Sequence, residues 1–348
     1  MRTRAIIIEQ LGPPECLVER EITLRDPGSA EVHLRVAAAG VNFADLMMRM
    51  GLYGTVPPRP FSPGFEVAGT VARVGKGVIG WKEGDRAVAL MRHGGYAHDV
   101  VVPQDHLFPW PGDLPPSEAA AIPVIFLTAW VCLHRAGAAR AGERVLILGA
   151  AGGVGTAAVQ LAVRAGLTVF GTAGTPGKRR FVEQELGAAG CFDSRGDWER
   201  DIRRRAGERG IDLALDPVGG GATRACGRLL APLGRVVVYG MSRGAPGTRR
   251  SWVQAAWAYL RTPRFHPLNL VGRNQGILGV HLLHLGDREP VLRAAYEEML
   301  PDLAANSLYP VMDKSYSLSA KGASAAHRRL HERRNLGKVV LAATSDEE

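Results

Sequence analysis

The run Val145-Leu-Ile-Leu-Gly-Ala-Ala-Gly-Gly-Val-Gly-Thr-Ala-Ala-Val-Gln160 decides the fold of this chain. Its first four residues are apolar and predict a short buried strand, and the small residues that end the run predict a helix. Between them, Gly149, Gly152 and Gly155 permit a tight turn, close approach to a pyrophosphate and close packing of the helix. Amides at the helix N-terminus then face the phosphates. The run therefore predicts a dinucleotide-binding unit with G-x-x-G-x-x-G spacing, and an ordinary tight βα turn is the alternative.

The strand after this helix indicates which dinucleotide is bound. Residues 167–173 predict that strand, and NAD sites usually place Asp or Glu near its end to bond the ribose 2′-hydroxyl. Here positions 172–175 are Thr, Ala, Gly and Thr, and Lys178, Arg179 and Arg180 follow. Cations attract a 2′-phosphate that a carboxylate would repel, so the sequence favours NADPH over NADH. A solvated first helical turn is the alternative explanation of the three cations.

Length and composition predict a globular protein with two domains. The chain has 348 residues, of which 46% are hydrophobic, and this is enough for two cores. Its four cysteines include no C-x-x-C pair, which favours a reducing cytoplasm over a disulfide framework or a Cys-rich zinc lobe. No secretory signal is visible. The most apolar stretch, 119–133, contains Pro123 and is predicted to be too short to span a bilayer.

The net charge of +9 raises the question of nucleic-acid binding. The excess arginines are scattered among acidic residues, as where 203–205 lie close to Glu199, Asp201 and Glu208. Such runs are typical of solvated helix faces, and no basic platform with interleaved aromatic residues is present. We therefore expect no nucleic-acid partner.

Hydrophobic patterning changes along the chain. Up to about residue 125, short alternating runs such as 31–39, 66–74 and 86–90 are separated by Gly and Pro, which predicts a compact β-barrel-like domain. From about residue 127, helices alternate with strands, which predicts a doubly wound parallel sheet.

After about residue 283 the sequence predicts an amphipathic helix over 289–303, an extended segment over 309–312 and a terminal strand over 337–341. This return of strand pattern suggests that the cofactor domain is inserted into the first domain. We therefore assign 1–126 and 274–348 to the first domain and 127–273 to the dinucleotide-binding domain.

Several motifs together carry a resemblance to a known family. They include Ala39-Gly-Val-Asn-Phe-Ala-Asp45, Pro63-Gly-Phe-Glu-Val-Ala-Gly69, Leu127-Thr-Ala-Trp130 and Asp216-Pro-Val-Gly-Gly220. Over nearly its whole length the chain resembles the medium-chain dehydrogenase/reductase superfamily, in its zinc-free quinone oxidoreductase (zeta-crystallin-like) branch. Its distal part, with Lys338, is similar to the synaptic vesicle amine transport protein homologues. The resemblance implies a GroES-like β-barrel catalytic domain, a Rossmann cofactor domain and a homodimer.

The same resemblance argues against a metal site. It places Asn42 where zinc relatives have a ligand Cys, and Phe65 where Pro-Gly-His-Glu would supply a ligand His. A tetrahedral zinc needs three protein donors, and two of them are replaced. His93, His98 and His106 are too irregularly spaced to substitute for them.

Without a metal, the expected reaction is hydride transfer to a quinone or an α,β-unsaturated carbonyl. Charge then develops on the enolate oxygen, which needs a hydrogen-bond donor and afterwards a proton. Asn42 is the candidate donor to the carbonyl or the nicotinamide ribose. The resemblance places Tyr53 where enoyl reductases have a proton-donating Tyr. The alternative is that Tyr53 has no catalytic role and only closes a loop. Met47 replaces another Tyr that some quinone reductases carry, so that contact is missing.

The cofactor candidates combine the glycine loop with positions that the resemblance implies, among them Thr128 near the nicotinamide. The predicted cofactor-binding residues are Asn42, Thr128, Gly152, Gly153, Val154, Gly155, Thr175, Lys178, Ser194, Gly240 and Asn335. A non-catalytic NADPH-binding protein that acts through lipid or protein contacts is the alternative function.

The segment 252–260, with arginines on both sides, is unusually aromatic. Its pattern is compatible with a wall of a bulky substrate pocket, a membrane or subunit contact, or a helix packed on its own core.

Overall fold

Two separate sheets organise the chain, one in each of two units. The computed structural model describes residues 1–54, 56–242, 247 and 262–343. The first unit is formed mainly by Met1–Val124 and by the chain from Leu285 onward, and the second mainly by the residues between them.

The first unit is built on a seven-stranded sheet. Its strands are β3 (Glu31–Val41), β4 (Glu66–Val74), β5 (Arg86–Leu90), β6 (Asp99–Pro103), β7 (Leu107–Pro109), β14 (Met312–Ser317) and β15 (Lys338–Ala342). The sheet order is β14-β15-β3-β4-β5-β7, with β6 also paired to β3 and with β14 and β15 parallel. The central strands contain runs of buried residues, and residues such as Val32, Leu34 and Val36 lie in the core. A separate antiparallel pair consists of β1 (Arg2–Ile8) and β2 (Leu17–Thr23).

Helices of the first unit connect and cover these strands. Helix α1 (Phe43–Met50) follows β3 directly and ends at Gly51, whose φ of 66° lies in the left-handed region that glycine adopts readily. The short α2 (Pro116–Ala119) comes later. Two helices near the C-terminus, α9 (Glu289–Ala304) and α10 (Ala320–His331), complete the set used below.

The second unit is a parallel six-stranded sheet. Its strands are β8 (Arg144–Ile147), β9 (Thr168–Ala173), β10 (Gly190–Asp193), β11 (Ile211–Asp216), β12 (Leu230–Val238) and β13 (Gly276–Gly279), and its helices are α3 (Ile122–Trp130), α4 (Gly153–Arg164), α5 (Pro176–Gln184), α6 (Trp198–Ala206), α7 (Gly221–Leu229) and α8 (Pro267–Arg273). The sheet order, β10-β9-β8-β11-β12-β13, is the 3-2-1-4-5-6 order of doubly wound dinucleotide-binding folds. Central strands are almost entirely apolar because helices cover both faces of such a sheet.

The predicted fold class, a β-rich domain plus a doubly wound parallel sheet, is confirmed. Details differ. The sequence analysis placed the return to the first domain at residue 274. Strand β13 instead pairs with β12, and the second unit extends to His284. Strand β14 begins at Met312, and the Val311 carbonyl before it accepts the backbone N–H of Lys338 at 2.7 Å, so the expected extended segment over 309–312 leads into that strand. The segment 252–260 lies outside the described residues.

One helical run is long and apolar enough to cross a membrane by length and composition. It covers Pro116–Ala136, 21 residues, and 72% of its most apolar window is buried inside the protein. The sequence prediction of a stretch too short for a bilayer was therefore wrong in length. A buried core helix passes the same test, so the run is weak grounds for a membrane span.

The glycine loop of the second unit is folded against the start of its own helix. Gly152 is the N-cap of α4, and Gly149 has a φ of 65°. A Cβ atom at Gly155 would lie 2.2 Å from the carbonyl oxygen of Gly149 and 2.8 Å from Ala150 backbone atoms. A Cβ at Gly152 would meet only the Gly149 oxygen, at 3.3 Å. Gly155 therefore permits the loop to close over the helix, whereas a Cβ at Gly152 would make a single tight contact that a shift of a few tenths of an ångström relieves.

We predict that Gly155→Ala lowers the free energy of unfolding by about 1–3 kcal/mol, because the added methyl group overpacks backbone that must shift. Gly152→Ala is the matched control and should cost less than about 0.5–1 kcal/mol. Urea unfolding followed by circular dichroism measures both. Equal midpoints for the two variants would contradict this account of the turn.

Candidate functional site

A buried ion pair lies beside Asn42 in the first unit. The Lys338 Nζ donates to Asn42 Oδ1 at 2.5 Å and also to Glu66 Oε1, and Asn42 Nδ2 donates to the same Glu66 oxygen at 2.9 Å. Lys338 is 2% exposed and Glu66 is fully buried. Because an ammonium group has no acceptor, its partner on Asn42 must be the amide oxygen, so the orientation of this amide is fixed.

Three chain segments bring this cluster together. Asn42 directly follows β3 and is the N-cap of α1. Glu66 is the first residue of β4, and Lys338 is the first residue of β15. Strand β15 runs antiparallel to β3, with Val339 opposite Val41, so Lys338 comes level with the start of α1. The second carboxylate oxygen of Glu66 accepts the backbone N–H of Val124 at 2.7 Å.

Asp45 holds Asn42 from the helix side. Its carboxylate accepts the backbone N–H of Asn42 at 2.8 Å and that of Gly64 at 2.9 Å, which fixes the helix start against the turn before β4. Burial raises the pKa of Asp45 to about 7, against these hydrogen bonds, which lower it.

Tyr53 lies just beyond the other end of α1. Its ring contacts that of Phe65, with centroids 5.8 Å apart, so the two candidate catalytic residues contact consecutive positions, Phe65 and Glu66. Burial, with the negative charge of Asp45 as a second cause, raises the pKa of Tyr53 to about 12. The phenol is therefore protonated near neutral pH and can act as a donor.

A chain of buried polar groups runs from Asp45 into α10. The Tyr96 hydroxyl donates to Asp45 Oδ2 at 3.2 Å and lies 3.2 Å from His327 Nε2. Arg49, which is fully buried, donates from Nε to His327 Nδ1 at 3.2 Å. Arginine can only donate, so His327 Nδ1 must accept. His327 therefore carries its proton on Nε2 and donates a hydrogen bond from that atom to the Tyr96 oxygen. Burial lowers the pKa of His327 well below its usual value.

The same arginine contacts a second histidine on α10. Arg49 lies 2.6 Å from His331 Nε2, and its charge adds to burial in lowering the pKa of His331 to about 4. Both histidines are therefore neutral near pH 7, and they accept from Arg49 as neutral rings do.

The glycine loop of the second unit lies at the point where the strand order reverses, between β8 and β11. This is where open parallel sheets bind ligands. Thr172, at the end of β9, fixes the loop by accepting the N–H groups of Gly149 and Ala150, at 3.2 Å and 2.9 Å. Gly152, Gly153 and the following N–H groups open α4, so the loop fits a bound pyrophosphate.

An arginine side chain lies beside Gly174 at the end of β9. Thr175 caps α5 by accepting the N–H of Lys178 at 3.4 Å. Arg179 forms an ion pair with Asp193 at 3.2 Å. A Cβ on Gly174 would lie 3.5 Å from the Nε of Arg195 and 3.6 Å from the Ser194 hydroxyl, both of which follow β10. Arg195 was not among the sequence candidates, although the end of a neighbouring parallel strand always lies beside this point.

The other sequence candidates lie in several places. Thr128 is buried on α3, and Val154 is in the first turn of α4. Gly240 packs on the turn after β11, where an added Cβ would lie 2.9 Å from the Pro217 oxygen. In the first unit, the Asn335 side chain donates to the Gly337 carbonyl at 2.8 Å and so closes its own turn.

Sequence reasoning missed the roles of Glu66 and Lys338. The available signal was a lysine within the apolar run Gly337-Lys-Val-Val-Leu341, since a buried lysine requires a partner. No group of three or more His, Cys, Asp or Glu side chains that could hold a metal occurs among the described residues. Phe65, at the position of the expected ligand His, is 1% exposed and packs on Tyr53.

Comparison with known proteins agrees with this architecture. Residues 28–112 match the model of the alcohol dehydrogenase GroES-like domain, and residues 153–295 match that of the zinc-binding dehydrogenases. The chain is 36% identical over 323 residues to the synaptic vesicle membrane protein VAT-1 homolog of Rattus norvegicus, which covers 92% of this chain and 79% of that protein. It is 33% identical over 341 residues to the quinone oxidoreductase of Lama guanicoe, covering 97% of each.

A solved structure extends the comparison to the fold. The quinone oxidoreductase of Thermus thermophilus, whose complex with NADPH is also known, superposes with a TM-score of 0.77 at 36% identity and covers 97% of this chain and 99% of that one. One of the matching family models describes zinc-binding proteins, but its matched range, 153–295, contains neither Asn42 nor Phe65.

We predict that His331 makes the protein less stable in acid. Its pKa is about 4 when folded and about 6.5 when unfolded, so the unfolded state binds more protons between these values and stability falls as the pH falls through that window. His331→Gln keeps an acceptor for Arg49 but does not titrate, so its stability should fall less steeply.

Urea midpoints at about pH 7.5 and about pH 5 for the two proteins measure this difference. Asp45 and His327 are present in both proteins, and because the charge of His331 also contributes to lowering the pKa of His327, the comparison reports His331 together with its effect on His327. The same loss of midpoint in parent and variant would rule out the proposed origin of the acid sensitivity.

Proposed function

Because the chain belongs to the medium-chain dehydrogenase/reductase superfamily, among the zinc-free quinone oxidoreductases and VAT-1 relatives, we propose that it is an NADPH-dependent oxidoreductase acting on quinones or α,β-unsaturated carbonyls. The observation that carries the proposal is the fixed amide of Asn42. At the position where zinc relatives hold a metal ligand, this chain presents a buried, oriented hydrogen-bond donor.

The second unit supplies the residues for the dinucleotide. Gly155 allows the loop to close on α4, and the amides that follow Gly152 would hold the pyrophosphate. Arg195 beside Gly174 and Lys178 in the first turn of the next helix would provide positive charge for a 2′-phosphate, and Thr172 and Thr175 place no carboxylate there. The bound nicotinamide would supply a hydride, and the protein would orient it.

The first unit supplies the groups for the acceptor. When the β-carbon of an enone is reduced, negative charge develops on its oxygen, and a fixed amide N–H stabilises that charge without having to reorganise. Asn42 provides this donor. Tyr53, protonated because its pKa is about 12, provides the proton for the enolate. A quinone also accepts hydride in this way, and its reduced oxygens take protons from water.

A second candidate function is a non-catalytic NADPH-binding protein that acts through lipid or protein contacts. The observation in its favour is on α8, where Leu268 and Val271 are each 71% exposed and Arg273 ends the helix. NADPH oxidation with quinones, enones and enoyl thioesters, together with flotation on anionic vesicles, separates the two. Flotation without turnover of any acceptor would favour the second function.

We predict that the protein binds NADPH more tightly than NADH and that Lys178→Ala removes much of this preference. Loss of one charge-assisted contact to the 2′-phosphate should cost about 1–2 kcal/mol in NADPH binding and little in NADH binding. Arg180→Ala is the control, because Arg180 is exposed two residues further along the same helix. Fluorescence titration measures the affinities, and equal affinities of the parent protein for both cofactors would refute the preference.

We predict that Tyr53→Phe lowers kcat on an enone at saturating NADPH by about tenfold or more, the lower end of general acid catalysis. Quinone reduction should be less sensitive, since water can protonate the product. Asn42→Ala should lower kcat on both acceptors, because both develop charge on an oxygen. Stopped-flow NADPH oxidation gives these rates. Full enone turnover by the Phe variant would exclude Tyr53 as the proton donor.

A further inference from the structure

Lys338 has a charge whose burial calls for an explanation. Its ammonium group is 2% exposed, and among the described residues its recorded side-chain partners are the Asn42 amide oxygen and Glu66 Oε1. Removing two opposite charges from water costs several kcal/mol per ion, and apolar residues of similar size are often as stable or more stable. Tying β15 to β4 therefore does not require this pair, so its position at Asn42 points to a role there.

We propose that Lys338, held by Glu66, is a positioning residue that fixes and polarises the Asn42 amide for stabilisation of the substrate oxygen. The proposal rests on the function proposed above. It adds a specific residue to that function and explains why Asn42 is an effective donor in a site without a metal ligand at that position.

The hydrogen bonds leave the amide one outward donor. Asn42 Oδ1 accepts from Lys338, and one Nδ2 hydrogen is given to Glu66 Oε1. The second Nδ2 hydrogen remains for another acceptor, and Asn42, at 9% exposed, lies at the edge of the buried cluster. The helix start also fixes the backbone of Asn42 through Asp45, so the side chain has little freedom to turn.

Polarisation makes this donor stronger. An ammonium group that donates to the amide oxygen draws electron density from the nitrogen, and hydrogen bonds in such chains strengthen one another in a medium of low polarity. Glu66 fixes the geometry and neutralises the lysine, so the cluster places no net charge in the core. The effect of Lys338 on the reaction thus passes through Asn42.

The first experiment measures the Asn42 amide without any need for turnover. The chain has five asparagines, so selective ¹⁵N-asparagine labelling gives five side-chain amide pairs, and loss of one pair in Asn42→Ala identifies Asn42. In Lys338→Met with Glu66→Gln, a pair of changes that removes both buried charges, this signal should shift and exchange faster with water. The other four pairs should stay in place.

The second experiment is a cycle of kcat values with an enone at saturating NADPH. Lys338→Met with Glu66→Gln should lower kcat by about tenfold in the parent background and by less than about threefold when Asn42 is already Ala, because the effect passes through Asn42. A merely structural role of the ion pair would give the same loss in both backgrounds.

A matched control removes another ion pair of the first unit. Arg329 on α10 pairs with Asp313 on β14, with one contact of 2.8 Å, and both side chains are largely buried. Arg329→Met with Asp313→Asn should move neither the Asn42 signal nor kcat. If the lysine variant does not fold, Lys338→Gln with Glu66→Gln keeps hydrogen-bonding groups at both positions and should show smaller changes in the same direction.

Two outcomes overturn the proposal: an Asn42 signal unchanged by loss of the charges, or an equal loss of kcat in the two backgrounds. Failure of the parent protein to reduce any acceptor overturns the proposed function and with it the role of Lys338 in the reaction. The amide measurement distinguishes these cases, because it reports the coupling of Lys338 to Asn42 in the absence of substrate.

Discussion

The pairing of β15 with β3, which brings Lys338 beside Glu66, is the constraint on which the first unit depends. The two residues are 272 positions apart, and the whole second unit lies between them in sequence. Strand β15 can pair with β3 only after that insertion has been bridged, and closing so long a segment is entropically costly. The unit that carries Asn42 is therefore complete only when β15 is in place, and the strand that completes the sheet also carries Lys338 to the Asn42 amide.

Sequence reasoning succeeded where the information is local. The glycine loop, the change from short strands to alternating helix and strand, and the terminal strand depend on neighbouring residues, and all three are present. It failed where distant segments decide. The boundary at 274 was placed before β13, whose pairing with β12 joins segments far apart in sequence and keeps β13 in the second sheet. Likewise, no local pattern joins Lys338 to Glu66 or places Arg195 beside Gly174.

Several buried polar groups near α1 are joined by hydrogen bonds, although the buried Nδ1 atom of His331 has no hydrogen-bond partner among the described residues. Arg49 donates to two histidines that burial keeps neutral, His327 donates a hydrogen bond to Tyr96, and Tyr96 donates to Asp45. Each member determines the hydrogen-bonding role of the next, and hydrogen bonds in such chains strengthen one another in a medium of low polarity. The start of α1 is thereby held from two sides, by this network and by the lysine pair, which suits a residue whose donor must be oriented in advance.

In the proposed function, the hydrogen-bonding strength of the Asn42 amide limits which substrates can be reduced. Reduction of a saturated ketone leaves a localised alkoxide, which in metal-dependent enzymes is stabilised by a Lewis acid. An amide N–H, even one polarised by a buried ammonium, is a weaker partner, and it matches an oxygen whose charge is shared over a conjugated system. Enones and quinones meet that condition because the charge formed on reduction is delocalised. Within the proposed function, Asn42 and the lysine that contacts it therefore favour conjugated acceptors over simple ketones, for a physical reason that does not depend on the shape of the substrate.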